Sequence, residues 1–371
     1  ATLIATVGAV PYIALQLKAI SGSMSLIVEH HTGAPFTFDP FVSDISLVVA
    51  GMLALFAILF GTRHADATEH QDGLILAVAV ESIIKLAAFL AIGLCVFFIL
   101  FGGPSDLSKS FSGNRHIEAA LSHRTSLGTW LVMTVISGFA IIMLPRQFYV
   151  TFVENRNVSE LRHASWVFPL YLVAINFFVL PIAFAGLTLI GDRTSSDLYV
   201  LSVPLLAGND TMAMVAFIGG LSAATAMVIV ESVALSIMIS NDLVIPLFVR
   251  RLLKSEPGET EDWTRLILNV RRAAIFVILF AAFLYYREST NNARLASIGL
   301  MSFAAIAQFA PAFFGGLIWR GANARGAIIG MTSGFAVWGY TLLFPSLASP
   351  DLSIIVNGPF GIDTLKPQSL F

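Results

Sequence analysis

The chain has 371 residues, of which 57% are hydrophobic and 12% charged, with a formal net charge of −2. Its mean hydropathy is +0.83. Soluble domains carry about 25% charged residues, so this composition excludes a soluble globular protein. The low net charge and the lack of a basic tract give no indication of nucleic-acid binding. The single cysteine, Cys95, lies in an apolar run, which excludes an internal disulfide framework.

Nine apolar segments predict membrane-spanning helices, because a helix needs about 20 residues to cross the hydrocarbon core. They lie at 1–20, 43–61, 74–102, 128–148, 165–190, 212–249, 272–286, 297–319 and 326–346. We therefore predict an all-α polytopic membrane protein in which 1–371 form one membrane domain with the lipid bilayer as its partner. The chain begins inside an apolar segment without a signal peptide, so we expect a piece of a longer protein.

The connections between the spans indicate an orientation. Twelve Lys and Arg fall on the side of the 62–73, 146–164, 250–272 and 320–325 connections, eight fall on the other side, and Lys85 lies within a span. The opposite loops at 21–42 and 190–210 are biased towards acids. By the positive-inside rule we place the first side in the cytoplasm. The twelve are Arg63, Arg146, Arg156, Arg162, Arg250, Arg251, Lys254, Arg265, Arg271, Arg272, Arg320 and Arg325.

Several polar residues lie inside the first and third spans. Tyr12 is interpreted either as an interfacial anchor or as a pathway residue, whereas Gln16 is expected to face protein because it is costly in lipid. Glu81 and Lys85 are four residues apart, so they share one helix face in the favourable acid-before-base order. They form either a structural ion pair or part of a substrate or coupling site.

The segment 212–249 contains no Lys or Arg and one acid that we expect to be buried, Glu231. On a helical wheel one side carries serine and threonine, and the opposite side carries small residues, methionine and acids. Neither side suits lipid, so we predict a central helix of a bundle. The hydroxyl side is formed by Ser222, Thr225, Ser232, Ser236 and Ser240.

Two spans place a polar residue beside a helix breaker. Pro145 is followed by Arg146 and Gln147 at the end of the fourth span, and Gln308 precedes Pro311 in the eighth. Proline frees a backbone carbonyl and kinks a helix. This favours a broken helix that lines a cavity, although a plain helix end fits nearly as well at Pro145.

No soluble catalytic motif is present, neither a Walker loop, nor HExxH, nor a dinucleotide fingerprint. The adjacent His30 and His31 lack further ligands at metal-site spacing. We therefore predict no enzymatic activity for this span, no catalytic residue, no metal site and no cofactor.

Three segments resemble core helices of the sodium/solute symporter family, which includes proline permeases. They are Val10-Pro11-Tyr12-Ile13-Ala14-Leu15-Gln16-Leu17-Lys18, the long helix from Leu221-Ser222-Ala223-Ala224 to Ser240-Asn241-Asp242-Leu243, and Pro311 … Trp319-Arg320 … Gly326-Ala327-Ile328-Ile329-Gly330. The chain is most similar to the subgroup in which this module precedes a hybrid sensor histidine kinase. That similarity rests on Phe60-Gly61-Thr62-Arg63-His64, Glu81-Ser82, Lys85-Leu86, Leu144-Pro145-Arg146-Gln147-Phe148 and Gly358-Pro359-Phe360-Gly361-Ile362 … Lys366-Pro367-Gln368.

The resemblance implies a leucine-transporter-type bundle of inverted repeats, with substrate and ion at the bilayer midplane. The first span would be the third core helix, so the bundle would be incomplete. The family carries a serine-threonine pair that helps hold sodium where this chain has Ala226 and Met227. Neither residue offers the oxygen that a hard cation requires, and Thr225 is one place early. Our hypothesis is therefore coupling to protons, with Glu231 or the Glu81–Lys85 pair as carriers.

Two functions remain open. One is secondary transport of a small organic solute, an amino acid by resemblance, across a bacterial inner membrane. The other is a transporter-derived sensory domain that signals nutrient availability to a cytoplasmic kinase module and its response regulator. The pathway candidates are Tyr12, Gln16, Glu81, Lys85, Pro145, Gln147, Thr225, Glu231 and Gln308, and Ala226 and Met227 are the degenerate sodium-site positions.

Overall fold

The computed structural model describes residues 1–33, 45–62, 72–111, 114–122, 125–155, 157–191, 194–247, 260–289 and 295–348. Within these ranges the chain is helical, and no β-strand occurs. The helices are α1 (Thr2–Thr32), α2 (Ile45–Gly61), α3 (Asp72–Leu94), α4 (Pro104–Phe111), α5 (Arg115–Ser122), α6 (Leu127–Met143), α7 (Pro145–Phe148), α8 (Val158–Asn176), α9 (Val179–Leu189), α10 (Tyr199–Leu206), α11 (Asp210–Met238), α12 (Thr260–Glu288), α13 (Leu295–Ala307), α14 (Ala310–Ile318), α15 (Ala324–Trp338) and α16 (Phe344–Leu347).

The helices confirm a polytopic, all-α membrane protein. Seven described segments are long and apolar enough to cross a bilayer: Thr2–Thr32, Gly73–Leu100, Val158–Leu189, Asp210–Leu247, Thr264–Glu288, Leu295–Ile318 and Ala324–Leu347. Two further predicted spans correspond to α2 and α6, each of 17 residues. Because these two helices are shorter than the seven, the finer count of nine spans remains a prediction.

The predicted central position of the long helix is confirmed. α11 packs against α1, α2, α3, α7, α10 and α12. Its C-terminal half is enclosed, because Glu231, Ser232, Ser236 and, in the following turn, Ser240 have no exposed surface. The helix does not run on uniformly, since a π turn at Ile239–Val244 widens the coil before the last described residues. Such turns are frequent at functional sites.

Two hydrophobic cores surround α11. The larger core joins α1, α2, α12 and α13 to the middle and C-terminal part of α11. The smaller core joins α3, α9 and α10 to the N-terminal part of α11, around Ala213 and Ala216. α11 is therefore the element that connects the two halves of the described bundle.

Several predicted connections are wrong in extent because they contain helix. α1 continues to Thr32, 12 residues beyond the predicted span 1–20. The predicted loop 103–127 contains α4 and α5, and the loop 190–210 contains α10. α12 begins at Thr260, inside the predicted loop 250–272. Two different causes act: the helices at Thr2–Thr32 and Thr260–Glu288 continue into polar sequence, whereas α4, α5 and α10 are separate helices that are too short to be predicted as spans.

Glycines allow close helix packing, and α2 provides a matched test. A Cβ on Gly61 would clash with Cγ2 of Val233 on α11, whereas a Cβ on Gly51 would meet nothing within 4 Å. Val233 is fully buried and β-branched, so it cannot swing aside. We expect Gly61→Ala to lower the free energy of unfolding by roughly 1–3 kcal/mol through overpacking. Thermal unfolding of the purified protein in detergent measures this.

The control is Gly51→Ala on the same helix. Alanine is a better helix former than glycine by up to about 1 kcal/mol, so this variant should unfold at the wild-type temperature or slightly above it. Equal midpoints for the two variants would show that α2 does not pack against Val233 in this way.

Candidate functional site

The helix is interrupted at Leu144, between α6 and α7. Leu144 has φ −56° and ψ 132°, so it leaves the helical conformation for one residue. Pro145 then begins α7 and supplies no amide hydrogen for the preceding turn. Pro145 lines a cavity of about 470 Å³, so the broken helix lining a cavity is confirmed and the plain helix end is wrong.

Glu231 meets the break from the facing helix α11. The backbone N–H of Arg146 donates to Oε2 of Glu231 at 3.1 Å. This amide belongs to the first turn of α7, where amide groups have no partner within the helix. The second oxygen, Oε1, is buried without a hydrogen-bond partner among the described residues. Oε2 of Glu231 therefore caps the interrupted helix, and Oε1 can still accept a hydrogen bond or a proton.

The side chain of Arg146 lies inside the bundle, with 7% of its surface exposed. Its guanidinium interacts electrostatically with Glu81 and Lys85 on α3, with Glu231 and with Tyr12 on α1. Arg146 therefore lies in a buried helical turn and not in a solvated connection, which corrects its predicted place in the 146–164 connection. A guanidinium remains charged in proteins, so the nearby carboxylates of Glu81 and Glu231 offset its charge inside the bundle.

Arg271 is also buried, with 2% of its surface exposed, although it was counted in the predicted 250–272 connection. Two of the twelve basic residues on the proposed cytoplasmic side therefore do not lie in water. Arg63, Arg156, Arg250, Arg251 and Lys254 lie outside the described residues. The orientation stays a prediction.

Glu81 and Lys85 do not form the direct ion pair that was one interpretation of their spacing. Both carboxylate oxygens of Glu81 are buried without a hydrogen-bond partner in the described part of the chain. The two residues still interact electrostatically, and Arg146 interacts with each of them. Beside them, Tyr171 on α8 donates to the backbone carbonyl of Ser82 at 3.3 Å and closes that side.

Tyr12 is buried in the bundle, so its interpretation as an interfacial anchor is wrong. Its hydroxyl donates to Sδ of Met227 at 3.5 Å, and it interacts with Arg146. Met227, which the resemblance places at a sodium-site position, therefore faces a tyrosine. Thr225 donates to its own helix at the carbonyl of Ser222, at 3.0 Å. A hydroxyl that donates keeps its oxygen lone pairs, so Thr225 still offers one oxygen, whereas the side chains of Ala226 and Met227 offer none.

The remaining pathway candidates form no hydrogen bond or ion pair with Glu81, Lys85 or Glu231 in the described part of the chain. Gln16 is buried on α1, as predicted. Gln147 is half-buried next to Arg146. Gln308 lies in the turn between α13 and α14, where Pro311 prevents a continuous helix, and lines a different cavity of about 370 Å³. We call Tyr12, Glu81, Lys85, Arg146 and Glu231 the ionisable cluster.

Arg146 is the member of the ionisable cluster that sequence analysis did not select. It lies between two residues that were selected, Pro145 and Gln147, and directly follows a helix breaker. A basic residue one place from a break inside an apolar segment is a signal that could have identified it, because broken membrane helices often surround ion and substrate sites.

Comparison with known proteins gives no match to a family model, a curated protein or a solved structure. The chemistry of the site therefore rests on its own residues. The ionisable cluster provides two carboxylates and a guanidinium that are buried, and an ammonium that is half-buried, on three facing segments. Such a cluster can exchange a proton on a carboxylate and can hold small charged groups.

Proposed function

We propose that the protein moves a small organic solute, with an amino acid as the favoured class, across a bacterial inner membrane in a process coupled to protons. The observation that carries the proposal is the contact between Glu231 and the broken helix at Arg146. Ionisable residues inside membrane bundles typically mark substrate pathways or proton relays. Here one oxygen of Glu231 and both oxygens of Glu81 lack hydrogen-bond partners in the described chain.

The geometry supports protons over sodium. A sodium ion requires several oxygen ligands, and the positions that carry them in the resembled family are occupied by Ala226 and Met227. A carboxylate at a helix break needs no additional ligand to take up a proton, so Glu231 and Glu81 are the proposed carriers.

The inverted-repeat fold and membership of the sodium/solute symporter family are part of the same proposal. Two features support them: a helix broken at Pro145 beside the buried charges, and a long central helix that faces the break. Substrate sites in such bundles lie near the midplane between broken helices.

Reconstitution tests the proposal directly. The full-length protein is placed in proteoliposomes, and uptake of each radiolabelled amino acid is measured with sodium and proton gradients imposed separately. We expect uptake under an inward proton gradient without sodium, and its loss when a protonophore is added. Uptake that disappears without sodium and is insensitive to the protonophore would contradict proton coupling. Binding without uptake would contradict transport and favour the sensory domain.

A further inference from the structure

A second cavity, of about 270 Å³, adjoins the ionisable cluster at Lys85. It lies between α1, α3, α8, α11 and the turn Ser196–Leu198 that precedes α10. Its wall is mainly apolar, and it carries two charged side chains of opposite sign, Lys85 and Asp197, with Ser23 as an additional polar group. Asp197 belongs neither to the ionisable cluster nor to the proposed proton carriers, so its place in the cavity wall has no role so far.

The ammonium of Lys85 is unpaired on the cavity side. It lies 13 residues beyond the start of α3 at Asp72, which is about 20 Å along the helix axis. Among the residues that the structure describes it takes part in no hydrogen bond or ion pair, although Glu81 and Arg146 interact with it electrostatically. An ammonium has three hydrogen-bond donors, so at this depth it needs water or an anionic group in the cavity.

Asp197 is held in place but is not saturated. Its Oδ2 accepts from the backbone N–H of Leu295 at 3.0 Å, and Lys18 interacts with it electrostatically. A carboxylate offers about four acceptor positions, so acceptor capacity remains towards the cavity. The electrostatic partners of Lys85 are Glu81 and Arg146 rather than Asp197. No hydrogen bond or ion pair joins Lys85 to Asp197 in the described part of the chain, so each of the two charges on the cavity wall can bind its own ligand group.

We propose that this cavity binds an amino acid, with Lys85 receiving its carboxylate and Asp197 its ammonium. The inference rests on the proposed transport of a small solute and names its binding site. The volume is slightly below the about 300–1,000 Å³ of typical ligand pockets, so the cavity suits a single amino acid and not a peptide. Because Lys85 belongs to both the cavity and the ionisable cluster, it links the ligand to Glu81.

Gly220 is a lining position where a side chain could extend into the cavity. It lies on the cavity wall of α11, and a Cβ added there would meet nothing within 4 Å. Neighbouring Gly219 is different, because a Cβ there would lie 2.5 Å from Cβ of Ala88. A larger side chain at Gly220 should therefore occupy the cavity without disturbing the packing of α3 against α11.

Binding measurements on the reconstituted full-length protein test the charge assignment. Each of the twenty protein amino acids is compared with its amide, which lacks the carboxylate, and with its deaminated acid, which lacks the ammonium. We expect Lys85→Gln to weaken binding of the amino acid roughly ten- to a hundredfold and to bind the amide as well as the wild type does. Asp197→Asn should show the same pattern with the deaminated acid.

Lys85→Arg, which keeps the charge, should retain most of the affinity. A Lys85→Gln variant that still prefers the amino acid over the amide by the wild-type ratio would overturn the assignment. Absence of amino-acid binding by the wild type would also overturn it.

Gly220→Leu tests the location independently of charge. We expect a loss of affinity of at least about tenfold, because the leucine side chain occupies the ligand volume. Gly51→Leu is the control: Gly51 lies on α2, away from this cavity, and also has open space around its Cβ position. Equal affinity in the two variants would overturn the site.

The outcomes for binding and for transport are separable. Amino-acid uptake that is unaffected by Lys85→Gln and Gly220→Leu would overturn the site and leave the proposed transport standing. Binding that depends on Lys85 without any uptake would contradict transport and leave the site standing.

Discussion

Replacing Glu231 with Gln is expected to abolish accumulation driven by a proton gradient while leaving exchange of substrate intact. Glutamine keeps the size of the side chain, and its amide oxygen can still accept from the backbone N–H of Arg146, where Glu231 accepts at 3.1 Å. It cannot gain or lose a proton. With an imposed gradient of one pH unit, coupling to one proton supports up to about tenfold accumulation. In the Glu231→Gln variant the ratio of internal to external substrate should stay at about one, which means no accumulation.

The measurement is steady-state accumulation of a radiolabelled amino acid in proteoliposomes, together with exchange of internal for external substrate. Glu288→Gln is the matched control, because Glu288 is an exposed acid at the end of α12, and it should accumulate substrate as the wild type does. Glu81→Gln separates the two proposed carriers. Full accumulation by Glu231→Gln would exclude Glu231 as a carrier, and the assignment would pass to Glu81 if that variant alone fails.

Replacing Arg146 with Gln is expected to have the largest effect on stability. Arg146 interacts with Glu81 and Glu231, which are almost fully buried. Removal of one partner from a buried charge network leaves the other charges uncompensated and costs about 3–5 kcal/mol. We expect a large fall in the yield of monodisperse protein and in the midpoint of thermal unfolding.

Two further variants distinguish charge compensation from simple packing. Arg146→Gln combined with Glu231→Gln should recover part of the lost stability, because the double variant leaves fewer uncompensated charges. Arg162→Gln is the control, since Arg162 is exposed on α8, and surface substitutions usually change stability by less than about 0.5 kcal/mol. If the effects of the two cluster substitutions add without any recovery, Arg146 does not act by compensating Glu231.

Much of the site was predictable one residue at a time. Glu81, Lys85 and Glu231 stand out as charges in apolar runs, and Pro145 stands out as a breaker near the end of one. What could not be predicted is the way in which they combine. Glu81 and Lys85 are correctly spaced for an ion pair on one helix, yet Arg146, which belongs to another helix, interacts with both, and the direct pair is not formed.

The amino-acid sequence by itself determined that the protein is a helical, multi-pass membrane bundle and that the helix around Glu231 is central. These properties depend on composition and periodicity along a single helix, which are local. Only the tertiary structure decided that Arg146 is buried, that its backbone amide binds Glu231 85 positions away, and that Lys85 and Asp197 line one cavity. The physical reason is that contacts between helices depend on how distant segments pack, and hydropathy along one segment carries no information about which charge a neighbouring helix will present.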